Sequence, residues 1–217
     1  MKLNADLTER AVVDSTALDW VPSPAGGVER RMLERDGEEV ARATTIVRFA
    51  PGSAFPAHSH ALGEEFLVLA GVFSDETGDF PKGYYVRNPP GSSHIPATRP
   101  GATILVKLRQ MDPNDDAVVR VDTGDATLWQ DTRPGEQILP LFQGAQETVE
   151  MVTWAAGSSY GPEVFGGGAE YFVLDGAFAD DEGSYGPGTW LRVPAGTRQT
   201  IRSADGARVW RKTGHLA

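Results

Sequence analysis

The chain has no cysteine. That excludes disulfide staples, cysteine-ligated zinc, iron–sulfur clusters and thiol catalysis. It suits a reducing compartment without requiring one. Basic residues are also few: 20 Lys and Arg stand against 30 Asp and Glu, for a net charge of −10. Such a surface repels phosphate backbones and anionic bilayers, so neither nucleic acid nor membrane is an expected partner. Long hydrophobic runs are missing. Stretches such as Phe66–Ala70 fall far short of the roughly 20 residues that span a bilayer. The opening segment, MKLNADLTERAVVDS, has no apolar signal core. A soluble, cytoplasmic protein is the expectation.

Helical patterning is scarce as well, with no clean 3.6-residue periodicity sustained over three turns. What the chain has in excess is turn chemistry, with 25 Gly and 15 Pro in 217 residues. These punctuate short runs rich in Val, Ile, Thr and aromatics, among them Ala43–Phe49, Glu65–Leu69, Tyr84–Arg87, Thr103–Leu108, Thr148–Trp154, Tyr171–Leu174 and Thr189–Val193. Many short strands between turns predict an all-β sandwich or barrel.

An internal repeat organises them. GEEFLVLAGVF at Gly63–Phe73 returns as GAEYFVLDGAF at Gly168–Phe178, an offset of 105 residues. At the same offset GYYVRNPPG (Gly83–Gly91) maps without a gap onto GTWLRVPAG (Gly188–Gly196). Upstream, VDSTALDW (Val13–Trp20) resembles VDTGDATLW (Val121–Trp129) at a slightly longer offset. Two β domains are expected, 1–112 and 113–217, joined near the Asp- and Pro-rich segment Met111–Val119.

Histidine is rare, and its placement is informative. Three of the four histidines fall in two phrases, PGSAFPAHSHALGEEFLVLAG and GYYVRNPPGSSHIPAT. His58 and His60 are two apart, so on a strand they share a face, and Glu64 has the same parity. His94 comes from another strand after a Pro-x-Gly turn. Imidazoles and a carboxylate converging inside a barrel suit Zn, Fe, Mn, Ni or Cu. Glu65 is the alternative carboxylate, and the repeat discriminates. His58, His60 and His94 are replaced by Glu163, Phe165 and Gln199, and Glu64 by Ala169, whereas Glu65 is kept as Glu170. The carboxylate lost along with the histidines is Glu64. The metal ligands are therefore expected to be His58, His60, Glu64 and His94, with no site in the second copy. Phe55, Phe66, Tyr84 and Tyr85 are core, rim or pocket residues on this reading. His215 lies outside both phrases and is taken as uninvolved.

The spacing resembles the two signature motifs of the cupin superfamily. Gly52, His58, His60, Glu64 and Gly71 fill the first, and Gly83, Pro89, Gly91 and His94 the second. The second usually continues to an Asn, where this chain has Thr98. The phrase HSHALGEEFLVLAGVFSDETGDFPKGYYVRNPPGSSH further resembles the ChrR-like cupin group. The resemblance implies two tandem cupin-type jelly-roll β-barrels, a bicupin, with one divalent metal held by three His and a Glu. Zinc is the metal it favours; Fe, Mn or Ni are alternatives. In ChrR anti-sigma factors the cupin is a sensory domain behind a helical zinc module. This chain has no Cys and no His upstream of His58, so sigma-factor inhibition does not carry over. A metal-binding sensor module and a metal-dependent dioxygenase or related small-molecule enzyme remain as readings. Both imply a small-molecule ligand in the first barrel, in a monomer or a homodimer.

Overall fold

The structure is a computed structural model that describes residues 1–216. Its elements are almost all strands. The two helical pieces are single 3-10 turns, Ser15–Ala17 and Ala126–Leu128. The second is opened by Asp125, whose side chain accepts from the Thr127 N–H. No helix of the described residues is long and apolar enough to cross a membrane.

Strands form compact unit 1, Met1–Ala5 with Leu18–Gly124, and compact unit 2, Asp6–Ala17 with Asp125–Ala217. In unit 1 the main sheet runs Lys2–Leu3, Val28–Gly37, Ala41–Phe49, Ala102–Leu108, Glu64–Asp75, Tyr84–Asn88, Val119–Asp122. A separate two-stranded ribbon pairs His58–Ser59 with Ser93–His94. In unit 2 the main sheet runs Gln130–Arg133, Glu136–Gln143, Thr148–Trp154, Ala207–Thr213, Ala169–Gly176, Thr189–Val193, Ala11–Asp14. Its second sheet contains Ser158–Val164 and Arg198–Ser203. The two main sheets have the same order, as the repeat requires, and both units are antiparallel jelly rolls.

Alternation decides what each strand buries. Phe66 and Val68 join Phe73, Val86, Ile104 and Val106 in one apolar cluster of unit 1. Phe66 is 1% exposed, and burying it contributes about 2–3 kcal/mol. The equivalent cluster of unit 2 holds Tyr171, Val173, Phe178 and Val209. Each long strand then turns at a glycine, Gly71 or Gly176, with φ of +71° or +64°. A Cβ at either would sit inside the carbonyl of Gly101 or Gly206 on the neighbouring chain segment.

The compact units differ from a simple division at 112/113. Val119–Asp122 pairs with Tyr84–Asn88 and completes the sheet of unit 1. Asp115 accepts from Arg87, and Met111 packs at Gly63. The Asp-rich segment is therefore part of unit 1, not a free linker. Reciprocally, Ala11–Asp14 pairs with Thr189–Val193 and completes the sheet of unit 2.

Candidate metal centre

The ribbon sets the first two donors. In its register His58 lies opposite His94, which brings their side chains together on one face. The ring centroids are 4.8 Å apart. His60 follows the strand rather than extending it. Its N–H donates to Ser92 O and its carbonyl accepts from Gly91 N–H, at 2.9 and 2.8 Å. Its ring lies 5.1 Å from His58 and 4.7 Å from His94.

Glu64 does not reach the cluster by sharing a strand with the histidines. A turn at Ala61–Gly63, with Gly63 at φ +75°, breaks the chain between them, and Glu64 opens the next strand, Glu64–Asp75. The parity of the sequence spacing is thus not what aims it. Pairing with Asn88 and Leu108 does so. Its Oε2 ends 3.5 Å from His60 Nε2 and 3.6 Å from His94 Nε2.

One donor atom from each of His58, His60, Glu64 and His94 lies within 4.8 Å of all the others. Metal–ligand bonds of about 2.0–2.2 Å put opposite donors at most about 4.4 Å apart. The four donors come close to that span, so a bound ion would draw them inward. His60 Nε2 and His94 Nε2 are buried without a hydrogen-bond partner, an arrangement that is costly unless something else satisfies them. A metal cation would satisfy both.

Other atoms of these side chains have neighbours of their own. His60 Nδ1 lies 3.1 Å from Ser92 Oγ, and His58 Nδ1 3.3 Å from Pro56 O. His94 Nδ1 lies 3.5 Å from the carboxylate of Asp75, an ion-pair distance rather than a tight hydrogen bond. Asn88 Nδ2 donates to Glu64 Oε2 at 3.2 Å, and Arg120 Nη2 donates to Asn88 Oδ1 at 2.7 Å. Such outer partners orient ligands and fix their tautomers. Ser92, Asp75, Asn88 and Arg120 were not among the residues expected from sequence. The acidic stretch SDETGD at Ser74–Asp79 and the Asn before Pro-Pro-Gly are the visible signals for two of them.

Electrostatics favour neutral imidazoles. Burial lowers His60 to about 4, with His94 and His58 adding to the effect. Burial also lowers His94, with His58 adding and Asp75 opposing. Burial pushes the Glu64 carboxyl up to about 7, against the pull of Asn88 and Arg120.

Glu65 points to the other face of the same strand. It accepts from Tyr85 Oη at 2.5 Å and Arg87 Nη1 at 3.3 Å, and it is 1% exposed. Its counterpart Glu170 accepts from Trp190 Nε1 at 2.5 Å and lies 2.8 Å from His215 Nε2. His215 is thus a buried partner of Glu170, not an idle terminal residue. Of the four aromatics noted from sequence, Phe55 lines the pocket beside the cluster, while Phe66 and Tyr84 pack with the apolar core and Tyr85 bonds Glu65.

That pocket has a volume of about 360 Å³. His58, Glu64 and His94 lie in its wall, and most of the rest is apolar, including Val47, Phe73 and Val106. In unit 2 the register repeats as Glu163 opposite Gln199. Gln199 accepts from Tyr171 Oη and donates to Asp180, both at 2.9 Å, while Arg133 pairs with Glu163. Asp180 stands where Asp75 stands in unit 1. There a closed hydrogen-bond network fills the place of the His/Glu cluster.

The jelly-roll units and the His/Glu cluster define a cupin protein of the two-barrel kind. The chain belongs to the ChrR cupin-like family, whose domain profile matches it twice, over residues 8–112 and 115–217. No curated protein matches it. Among solved structures it is similar to a candidate dioxygenase from Nostoc punctiforme, with TM-score 0.78 and 13% identity over 95% of this chain and 82% of that one. It is also similar to YlbA from E. coli, with TM-score 0.72 and 14% identity over 96% and 92%. The coconut allergen cocosin gives TM-score 0.68 and 11% identity over 96% and 86%. At such identities the likeness shows the fold alone. A fold shared by a candidate dioxygenase and an allergen does not assign an activity.

Proposed function

We propose that the chain binds one divalent transition metal in its first barrel, through His58, His60, Glu64 and His94, and uses it to recognise a small molecule in the adjoining pocket. The observation that carries this reading is the pair of buried, unpartnered Nε2 atoms beside Glu64, within a group of four converging donors. Three nitrogens and one oxygen suit zinc, which the family resemblance favours, and equally iron, manganese or nickel. The second barrel has no part in metal binding on this reading. The acidic charge opposes nucleic-acid and anionic-membrane partners.

Around the ion the chain's own groups have separate tasks. Asp75 holds the His94 ring, Ser92 holds His60, and Asn88 with Arg120 holds Glu64. The apolar wall keeps water from the ligand's body. The pocket reaches three of the four donors, which favours an accessible coordination face and hence a second reading, a metal-dependent dioxygenase or related enzyme. A bound metal would supply Lewis acidity or O₂ activation there.

Elemental analysis of the purified full chain tests the site. About one transition metal per chain is expected, lost in His60→Ala and His94→Ala. Wild-type protein that carries none and takes up none on reconstitution refutes the proposal. O₂ consumption by iron- or manganese-loaded protein separates enzyme from sensor.

A further inference from the structure

The pocket of the first barrel contains a charge that metal binding does not use. Along Val28–Gly37, alternation puts Val28 and Arg30 on the inward face, and both line the pocket. Their inward neighbours are Val47, Phe49, Ile104, Val106 and Leu108. Arg30 is the one cation among the residues of this wall. Its side chain is 18% exposed, and its Nε is buried with no hydrogen-bond partner. Its ionic contact is Glu39, 3.7 Å from Nη1 on a side chain that is 69% exposed. An exposed pair of that length contributes little and leaves the Nε donor unmet. Neighbouring arginines are differently placed. Arg31 stacks on Trp20 at 4.4 Å, and Arg48 forks onto Glu29.

A guanidinium stays charged at any physiological pH and presents paired donors matched to a carboxylate. Set in an apolar wall, it demands an anion. In the sheet register Arg30 pairs with Val47, which in turn pairs with Ile104, while Glu64 pairs with Leu108. Ile104 and Leu108 are four residues apart on one strand, which is about 13 Å. The arginine and the donor cluster therefore occupy separated rows of one pocket, with apolar side chains between.

We propose that this pocket receives a small carboxylate with an apolar body, the carboxylate held by Arg30 and the opposite end directed at the metal cluster. The inference rests on the metal reading only for that far end. The reading supplies a class of ligand, an alkyl or aryl-alkyl carboxylic acid, where the metal site alone gives none.

The test is calorimetric titration of the zinc-reconstituted full chain with 3-phenylpropanoate and with its neutral amide, repeated on metal-free protein. The acid is expected to bind about tenfold or more tightly than the amide. Arg30→Gln removes that preference, Arg30→Lys retains part of it, and Glu39→Gln leaves it intact. Equal binding of acid and amide, no binding of either, or a preference that survives Arg30→Gln overturns the proposal. A preference that vanishes on metal removal but persists in Arg30→Gln places the carboxylate on the metal and also overturns it. If the chain takes up no zinc while the Arg30-dependent preference remains, the metal reading fails and this one stands.

Discussion

Two adjacent carboxylates on one strand should have opposite failure modes. Glu64 faces the donor cluster; Glu65 faces Tyr85 and Arg87. Glu64→Gln keeps an acceptor for Asn88 and nearly the same volume, so the metal-free fold should lose less than about 1 kcal/mol. Metal affinity should fall by about a hundredfold or more, since altering even outer-shell partners costs 10–100-fold. Glu65→Gln keeps an acceptor for the Tyr85 hydroxyl but removes one of the two anions facing a guanidinium that is essentially inaccessible to solvent. Asp115 still pairs with Arg87, so the loss is about 2 kcal/mol, below that of an ion left wholly unpaired. For a unit near a hundred residues this is a drop of about 10 °C in melting temperature. Metal stoichiometry should be unchanged. Melts of the metal-free variants by circular dichroism and zinc competition against a chromophoric chelator measure both quantities. Retention of zinc by Glu64→Gln and its loss by Glu65→Gln would refute the assignment.

Other consequences are as direct. Asp75→Asn should weaken zinc binding about 10–100-fold while preserving one site per chain, because the charge steering His94 is gone; unchanged affinity in the chelator assay removes Asp75 from the site. In unit 2 burial raises the Asp180 carboxyl, but hydrogen bonds from Tyr185, Arg10 and Gln199 outweigh it and hold the carboxyl below its ordinary value. Its stabilisation is therefore present above the unfolded carboxylate pKa near 4 and lost as pH falls through the lower folded value. Asp180→Asn should cost about 1–3 kcal/mol at pH 7 and markedly less near pH 3 in urea melts; an equal cost at both contradicts the linkage. Gly71→Ala should destabilise unit 1 by more than about 1 kcal/mol, since φ is positive and the Gly101 carbonyl occupies the space; a neutral result in the same assay would show that the strand can turn differently.

The three clustered histidines were legible because their spacing falls in one signature, and the repeat selected Glu64 over Glu65 by showing which carboxylate was lost with them. How Glu64 arrives was not legible. Same-strand parity suggested it, yet the chain turns at Gly63 and the strand begins again at Glu64. Asp75 was hidden for a related reason. It lies at the far end of the strand that Glu64 opens and returns to His94 only because that strand is bent. Arg120 belongs to four residues whose pairing partner, Tyr84–Asn88, lies in the middle of the first repeat. Local pattern identifies a strand more readily than its neighbour when the two are distant in sequence.

The two edge strands also constrain how the chain can be made. Unit 2 takes Ala11–Asp14 and pairs it with Thr189–Val193, which is synthesised much later. On the ribosome that strand must wait for all the residues between the two, at about 5–20 residues per second. Unit 1 closes once Val119–Asp122 has emerged, well before unit 2 has its partner strands. Biogenesis therefore has an enforced order: the barrel with the histidine cluster can finish first, while a short strand with an unpaired edge stays available to wrong partners. Cutting the gene between the sequence repeats would give two fragments, each without the strand that seals its sheet.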